Sequence, residues 1–421
     1  LFISFSIKQF ILREYIKIFY ISIFASLLLF VSNNNTPDAG LYHLPYIQVL
    51  NEDKIIIGAS NIHFRFSLAS IWQYISAFYN NFLFEKKGIT IPLAILPPLF
   101  FIFLTEKIYK ELKYKDSSLL AKIIFLFFLL ISSLYSFSRY SGYGNDAPSH
   151  IYYFYLIYLI LNSKNYQRDL FLILISFVCL FLFSNKLFFI LVFFIPLYFL
   201  IKLKLFLFLK SKIFAVLIII FFLILIKNLL ISGCLLYPVS FTCFNDLAWS
   251  NYSEVINQAI EGEAWAKGWS DQNTINSFQV YSSKFNWLSG WYNVHFKIIF
   301  EKFFPIILFC LLVLLIMIFN SKNKKTAFID QNLENFNLIF LLSFLNCIFW
   351  FIKFPLYRYG YSFLLIFWLC LFLKFILTFN IILNYSSLKK LIKYSLIIFL
   401  ISITAKNLKR ISENFSYKHE N

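Results

Sequence analysis

Ile213-Phe-Ala-Val-Leu-Ile-Ile-Ile-Phe-Phe-Leu-Ile-Leu-Ile-Lys-Asn-Leu-Leu-Ile231 decides the fold of this chain. As a helix the segment reaches about 28 Å, close to the thickness of a hydrocarbon layer. Its apolar run is continuous, without the in/out alternation of a membrane β-barrel strand. Inside lipid every backbone amide must find its partner within its own segment, which leaves the helix as the only solution. Ten further runs of similar kind lie at roughly 15–32, 89–105, 118–138, 147–162, 169–184, 187–201, 303–319, 336–352, 361–379 and 391–405. The expected architecture is therefore an all-α, polytopic transmembrane helical bundle of about eleven spans, forming one membrane domain over residues 1–421.

Composition agrees with that reading. Of 421 residues 60% are apolar and 14% charged, with mean hydropathy +0.73, whereas a soluble domain carries about 25% charged residues. The net charge of +18 is not a nucleic-acid signature, because the basic residues cluster in alternate short connections: Lys107, Lys110, Lys113 and Lys115; Lys164 and Arg168; Lys202, Lys204, Lys210 and Lys212; Lys322, Lys324 and Lys325; Lys389, Lys390 and Lys393. Such alternation sets orientation and puts the N-terminus in the cytoplasm. It leaves residues 33–88, 139–150 and 232–302 outside, with a short tail at 406–421. The 57 phenylalanines read as base-composition bias and serve as lipid-facing or packing residues. The chain begins at Leu1, as a fragment or from an unusual start codon would. Its first run, after Lys8, Arg13 and Lys17, is too long for a cleaved signal and has no convincing cleavage site.

In the first long loop, Leu44–Val49 and Phe66–Phe78 are apolar and aromatic enough for helices lying on the membrane surface. The third loop carries Trp249, Trp265, Trp269, Trp287 and Trp291, suited to interfacial anchoring or to stacking on sugars. Cys179, Cys310, Cys347 and Cys370 fall in apolar runs and behave as small hydrophobes, while Cys234 and Cys243 could pair if their loop meets an oxidising compartment. No internal repeat points to a transporter of inverted halves.

Residues able to carry chemistry gather in the exterior segments. Asp38 follows the first span in Asn35-Thr-Pro-Asp-Ala-Gly-Leu-Tyr-His-Leu-Pro45, at headgroup level. There it suits a general base toward an acceptor hydroxyl, and equally a turn or cap carboxylate. His43 could assist the base or contact phosphate. Asn61, His63 and Arg65 stand at alternate positions, so an extended backbone would aim all three the same way, with Arg65 as a phosphate ligand. The second exterior loop packs Arg139, Asp146 and His150 within a dozen residues. Asp146 could orient acceptor hydroxyls, cap the next helix, or share a divalent cation such as Mg or Mn with Asp38. Arg358, in Lys353-Phe-Pro-Leu-Tyr-Arg-Tyr-Gly360, sits at an exterior span end where positive charge is unexpected, and could grip a phosphate or snorkel to headgroups. Lys186 is a similar, weaker candidate.

Together these segments resemble the GT-C class of membrane glycosyltransferases, particularly large bacterial envelope members with a first-loop Asp-x-x-x-Tyr-His pattern, here Asp38-Ala-Gly-Leu-Tyr42-His43. The likeness continues through Gly58-Ala-Ser-Asn-Ile-His-Phe-Arg65, Asp146, Ser232-Gly-Cys-Leu-Leu-Tyr-Pro238 and Pro355-Leu-Tyr-Arg-Tyr359. The resemblance implies a polyprenyl-phosphate or polyprenyl-diphosphate sugar donor, a lipid-linked or glycan acceptor, and Asp38 as catalytic base. It also implies a bacterial inner membrane with the site on the periplasmic face, and a role in cell-envelope polysaccharide synthesis. The chain departs from those members in carrying a short tail where they have an exterior C-terminal domain. An O-antigen-type polymerase or ligase would instead centre catalysis on residues 232–302. A lipid or polysaccharide transporter would carry ionisable residues within its spans, which are scarce here.

Overall fold

The computed structural model describes residues 12–32, 37–53, 56–114, 120–136, 142–269, 277–319, 333–378 and 385–419. Lys8, Asn35, Lys115, Arg139, Lys322, Lys324 and Lys325 lie outside the described residues. Among the described residues the fold is all-helical, 84% helix with no strand. The α-helices run α1 Leu12–Val31, α2 Leu44–Glu52, α3 Ile71–Tyr79, α4 Ile91–Tyr114, α5 Leu120–Tyr135, α6 Asp146–Leu161, α7 Arg168–Asn185 and α8 Phe194–Lys202. They continue with α9 Lys212–Ser232, α10 Tyr252–Ala266, α11 Phe278–Ser282, α12 Leu288–Trp291, α13 Lys297–Phe319, α14 Leu333–Lys353, α15 Tyr357–Thr378 and α16 Tyr385–His419.

Six helical segments among the described residues are long and apolar enough to cross a membrane: Lys87–Lys113, Arg168–Asn185, Lys212–Ser232, Glu334–Lys353, Tyr357–Thr378 and Leu388–Glu413. They make this a membrane-embedded chain. Burial separates them into two kinds. In the segments containing α4 and α15, 67% and 61% of the apolar window is buried by protein, against 6% in α9 and 17% in α16. A helix that is apolar all round must meet either protein or lipid, so α9 and α16 form the rim. At the centre stand α5, buried from Leu120 through Leu134, and α6. α15 packs along α14, α5 and α6, and α4 fills the gap toward α1.

The deciding stretch becomes α9. Ser211 caps its start by accepting from the Phe214 amide at 3.1 Å, and Gly233, in the left-handed region at φ 76°, ends it. Its lysine, Lys227, donates to the Ala69 carbonyl at 2.6 Å. Two more bonds tie the same helix end to the first loop and to the start of the third: Gly58 N to Leu230 O at 2.8 Å and Trp249 Nε1 to Leu229 O at 3.0 Å. At the opposite end of the bundle, buried Lys122 is paired with Glu111 at 2.7 Å and donates to Asn162 at 3.0 Å, which joins α4, α5 and α6.

Two expectations about the loops need correction. Residues 61–65 are not extended: Ala59–Asn61 and Phe64–Leu68 are 3₁₀ turns, with only His63 in extended conformation between them. Asn61, His63 and Arg65 therefore do not share a direction. The tryptophans of the third loop are mainly packing groups. Trp287 is buried, Trp249 and Trp291 donate to backbone carbonyls, and of the five only Trp265 is exposed. Cys234 and Cys243 form a disulfide at the start of that loop.

Candidate functional site

Asp38 stands just before a π-helical turn, Ala39–His43, that leads into α2. Although 320 residues apart, Asp38 Oδ2 accepts from Arg358 Nη1 in an ion pair, while Arg65 Nη1 lies 3.7 Å from Asp38 Oδ1. One carboxylate thus spans two guanidiniums from opposite parts of the chain. Burial pushes the Asp38 carboxyl up, but Arg358, by hydrogen bond and by charge, and then Arg65 outweigh it, so the net direction is down. At neutral pH Asp38 is a carboxylate.

Aromatic rings support the cations. The Arg65 guanidinium lies 5.2 Å from the Tyr42 ring centroid. Arg358 Nη2 donates to the Tyr359 hydroxyl at 3.4 Å. On the same Tyr359 ring, at 4.3 Å, rests the ammonium of Lys186, which is ion-paired with Asp146. Two ion pairs therefore meet around one tyrosine, and a cation over an aromatic face gains electrostatic energy from the ring quadrupole. All four charged groups remain partly open: side-chain exposure is 24% for Asp38, 40% for Arg358, 20% for Lys186 and 27% for Asp146.

The second pair is held by neighbours in sequence. Asn185, one residue before Lys186, donates to the Asn145 carbonyl at 2.8 Å. That bond fixes the end of α7 against the start of α6, where Asp146 occupies the first turn and favours the positive end of the helix dipole.

His43 is positioned through a capping box. Ser70 N donates to Gln73 Oε1 at 2.8 Å, and Gln73 N to Ser70 Oγ at 3.4 Å. With its oxygen occupied, Gln73 turns its amide nitrogen to His43 Nδ1, 3.2 Å away. Nδ1 accepts that bond, so the neutral ring carries its proton on Nε2. Burial, then the charge of Lys186, press His43 down to about 3 against the pull of Asp38. The ring is a neutral imidazole at pH 7, and it feels Lys186, Asp38, Arg358 and Arg65 together.

The other residues expected at the site have backbone or structural partners. Asn61 donates to the Trp249 carbonyl at 2.9 Å, which fastens the first loop to the third. His63 Nδ1 accepts from the Arg65 amide at 3.1 Å and caps the turn bearing Arg65. His150, buried, donates from Nε2 to the Arg358 carbonyl at 2.9 Å, and its Nδ1 lies 3.0 Å from Ser362 Oγ. His63 and His150 thus hold the backbone that carries Arg65 and Arg358. Tyr42 and Tyr359, which the sequence reading quoted within its motifs but gave no role, are at the centre of the cluster.

The turn carrying Arg358 is itself clamped. Trp350 Nε1 donates to Leu356 O at 2.8 Å and Trp291 Nε1 to Pro355 O at 2.8 Å. Gly360 lets the Trp350 ring approach α15, since a Cβ there would stand 2.3 Å from Trp350 Cε2. Asp38 and Asp146 each face a cation, and among the described residues no group of three or more His, Cys, Asp or Glu side chains is placed to hold a metal ion. What the arrangement offers is anion binding by guanidiniums, with a carboxylate between them.

No curated protein and no solved structure matches the chain. A family model described as a domain of unknown function, DUF8201, matches residues 2–365. The chain belongs to that family.

Proposed function

We propose that the chain is a GT-C-like membrane glycosyltransferase, moving a sugar from a polyprenyl-linked phosphate donor to a lipid-linked or glycan acceptor at the exterior face of a bacterial inner membrane. The observation carrying this reading is Asp38 held between Arg358 and Arg65. In the free enzyme the carboxylate occupies the two guanidiniums; a donor phosphate, with more oxygens to offer, takes them over. Deprived of its partners, Asp38 regains basicity next to the bound donor. It then accepts the acceptor's hydroxyl proton as that oxygen bonds to the anomeric carbon, and the carbon–phosphate-oxygen bond breaks with its electron pair leaving on the phosphate. Arg65 and Arg358 stabilise that growing charge, and such preorganised charge stabilisation commonly contributes more to the rate than any other single effect.

On this reading all eleven apolar helical stretches cross the membrane, the N-terminus is cytoplasmic, and the helices of the first loop lie at the exterior interface. The disulfide Cys234–Cys243 supports an oxidising exterior for the third loop. The test is Asp38→Asn, assayed with radiolabelled polyprenyl-phosphate sugars and lipid extract. Transfer is lost while the protein stays folded in membranes. Near-normal transfer by that variant would refute the assignment.

A further inference from the structure

Resting on the transferase reading, we infer that the site is charge-matched to a donor with a single phosphate, a phosphodiester of one negative charge, and that the Asp146–Lys186 pair enforces this choice. Among the described residues the cluster contains three cations, Arg65, Arg358 and Lys186, against the carboxylates of Asp38 and Asp146. Three minus two leaves a net charge of +1. A polyprenyl phosphosugar bears one negative charge and brings the site to neutrality. A diphosphosugar bears two and leaves one unmatched.

The match holds through the reaction. When transfer occurs, the leaving polyprenyl phosphate gains one negative charge, and Asp38 loses one by taking the acceptor's proton. The sum stays at zero for a monophosphate and at minus one for a diphosphate. Electrostatics in a partly desolvated site penalise the second case.

Asp146 decides the sum, and it reaches the site through its ion-paired partner. Its partner Lys186 rests on the Tyr359 ring at 4.3 Å, and the hydroxyl of that ring takes the Arg358 hydrogen bond at 3.4 Å. The second ion pair is thus part of the anion site, and Asp146 trims its charge.

The experiment compares farnesyl methyl phosphate, one charge, with farnesyl methyl diphosphate, two. The methyl group replaces the sugar, so the sugar's identity does not enter. Dissociation constants are measured on the full chain in neutral detergent. The wild type prefers the monophosphate ester by about tenfold, and Asp146→Asn shifts the ratio about tenfold toward the diphosphate. Lys186→Met, which removes a positive charge, shifts it the other way and guards against a misfolded first variant. Equal binding of the two esters by the wild type, or a ratio that neither variant moves, overturns the inference alone. Binding of neither ester overturns it together with the transferase reading. Displacement of the farnesyl esters by phosphatidylglycerol at equal concentration shows a general headgroup site and also overturns it.

Discussion

Gly360→Ala tests how Arg358 is held in place. Carbon atoms in contact sit about 3.5–4.0 Å apart, and the new Cβ would meet Trp350 Cε2 at 2.3 Å, Nε1 at 2.5 Å and Cδ2 at 2.7 Å. More than an ångström must be found. If the ring swings away, its bond to the Leu356 carbonyl breaks and leaves a buried donor unpaired, at about 1–3 kcal/mol. If instead α14 and α15 part, the overpacking costs about 1–3 kcal/mol. By either route a loss of about 1–3 kcal/mol is expected, seen as a lower midpoint in thermal unfolding of the detergent-solubilised protein. Because Arg358 lies two residues before Gly360, binding of farnesyl methyl phosphate should weaken in step. Adding Trp350→Phe removes both the bulk and the donor, so Gly360→Ala should cost at least about 1 kcal/mol less in that background. A Gly360→Ala protein as stable as wild type, or an equal cost in both backgrounds, would show that this contact does not set the turn.

Other expectations follow from the same geometry. His150→Ala removes a buried ring bonded to the Arg358 carbonyl and next to Ser362; a loss of about 2–4 kcal/mol is expected in denaturation, and unchanged stability would favour a ligand-facing role for the ring. The folded pKa of His43 lies near 3, below the unfolded value of about 6.5. The unfolded chain therefore binds more protons between those values, and stability falls as pH drops through that window at up to about 1.4 kcal/mol per pH unit. His43→Gln should flatten this slope relative to wild type, and identical pH profiles would contradict the burial argument. In intact cells, Cys234 and Cys243 should take up a membrane-impermeant maleimide only after an impermeant reductant; labelling without reduction would argue against an oxidised exterior loop.

The helical class was legible because run length in apolar residues is itself the physical requirement for crossing lipid, and among the described residues six helical segments, against the eleven spans expected, meet it by length and composition. Arg358 was singled out as a phosphate or headgroup contact, for a positive charge at a span end where the expected orientation gives none. Its pairing with Asp38 was not legible, since pairing across 320 residues depends on how α15 packs against α5 and α6. Asn61, His63 and His150 show the same limit from the other side. A side chain that bonds a carbonyl and one that bonds a ligand have the same chemistry, and only the tertiary neighbour separates them. Reading residues 61–65 as extended failed because turns 3₁₀ in kind were not weighed for a short polar stretch. Lys186 gained weight once Tyr359 brought it beside Arg358.

Lys227 bears on how the protein is made. A lysine in the C-terminal part of α9 is a burden for a helix entering lipid, and here the burden is met by the Ala69 carbonyl. The acceptor belongs to a segment synthesised 158 residues earlier, roughly 8–30 s ahead at common elongation rates. When α9 emerges, its docking point already exists, so order along the chain doubles as order of assembly. Lys227→Leu should therefore insert α9 even when the first loop is deleted, whereas wild-type α9 should insert less completely without that loop.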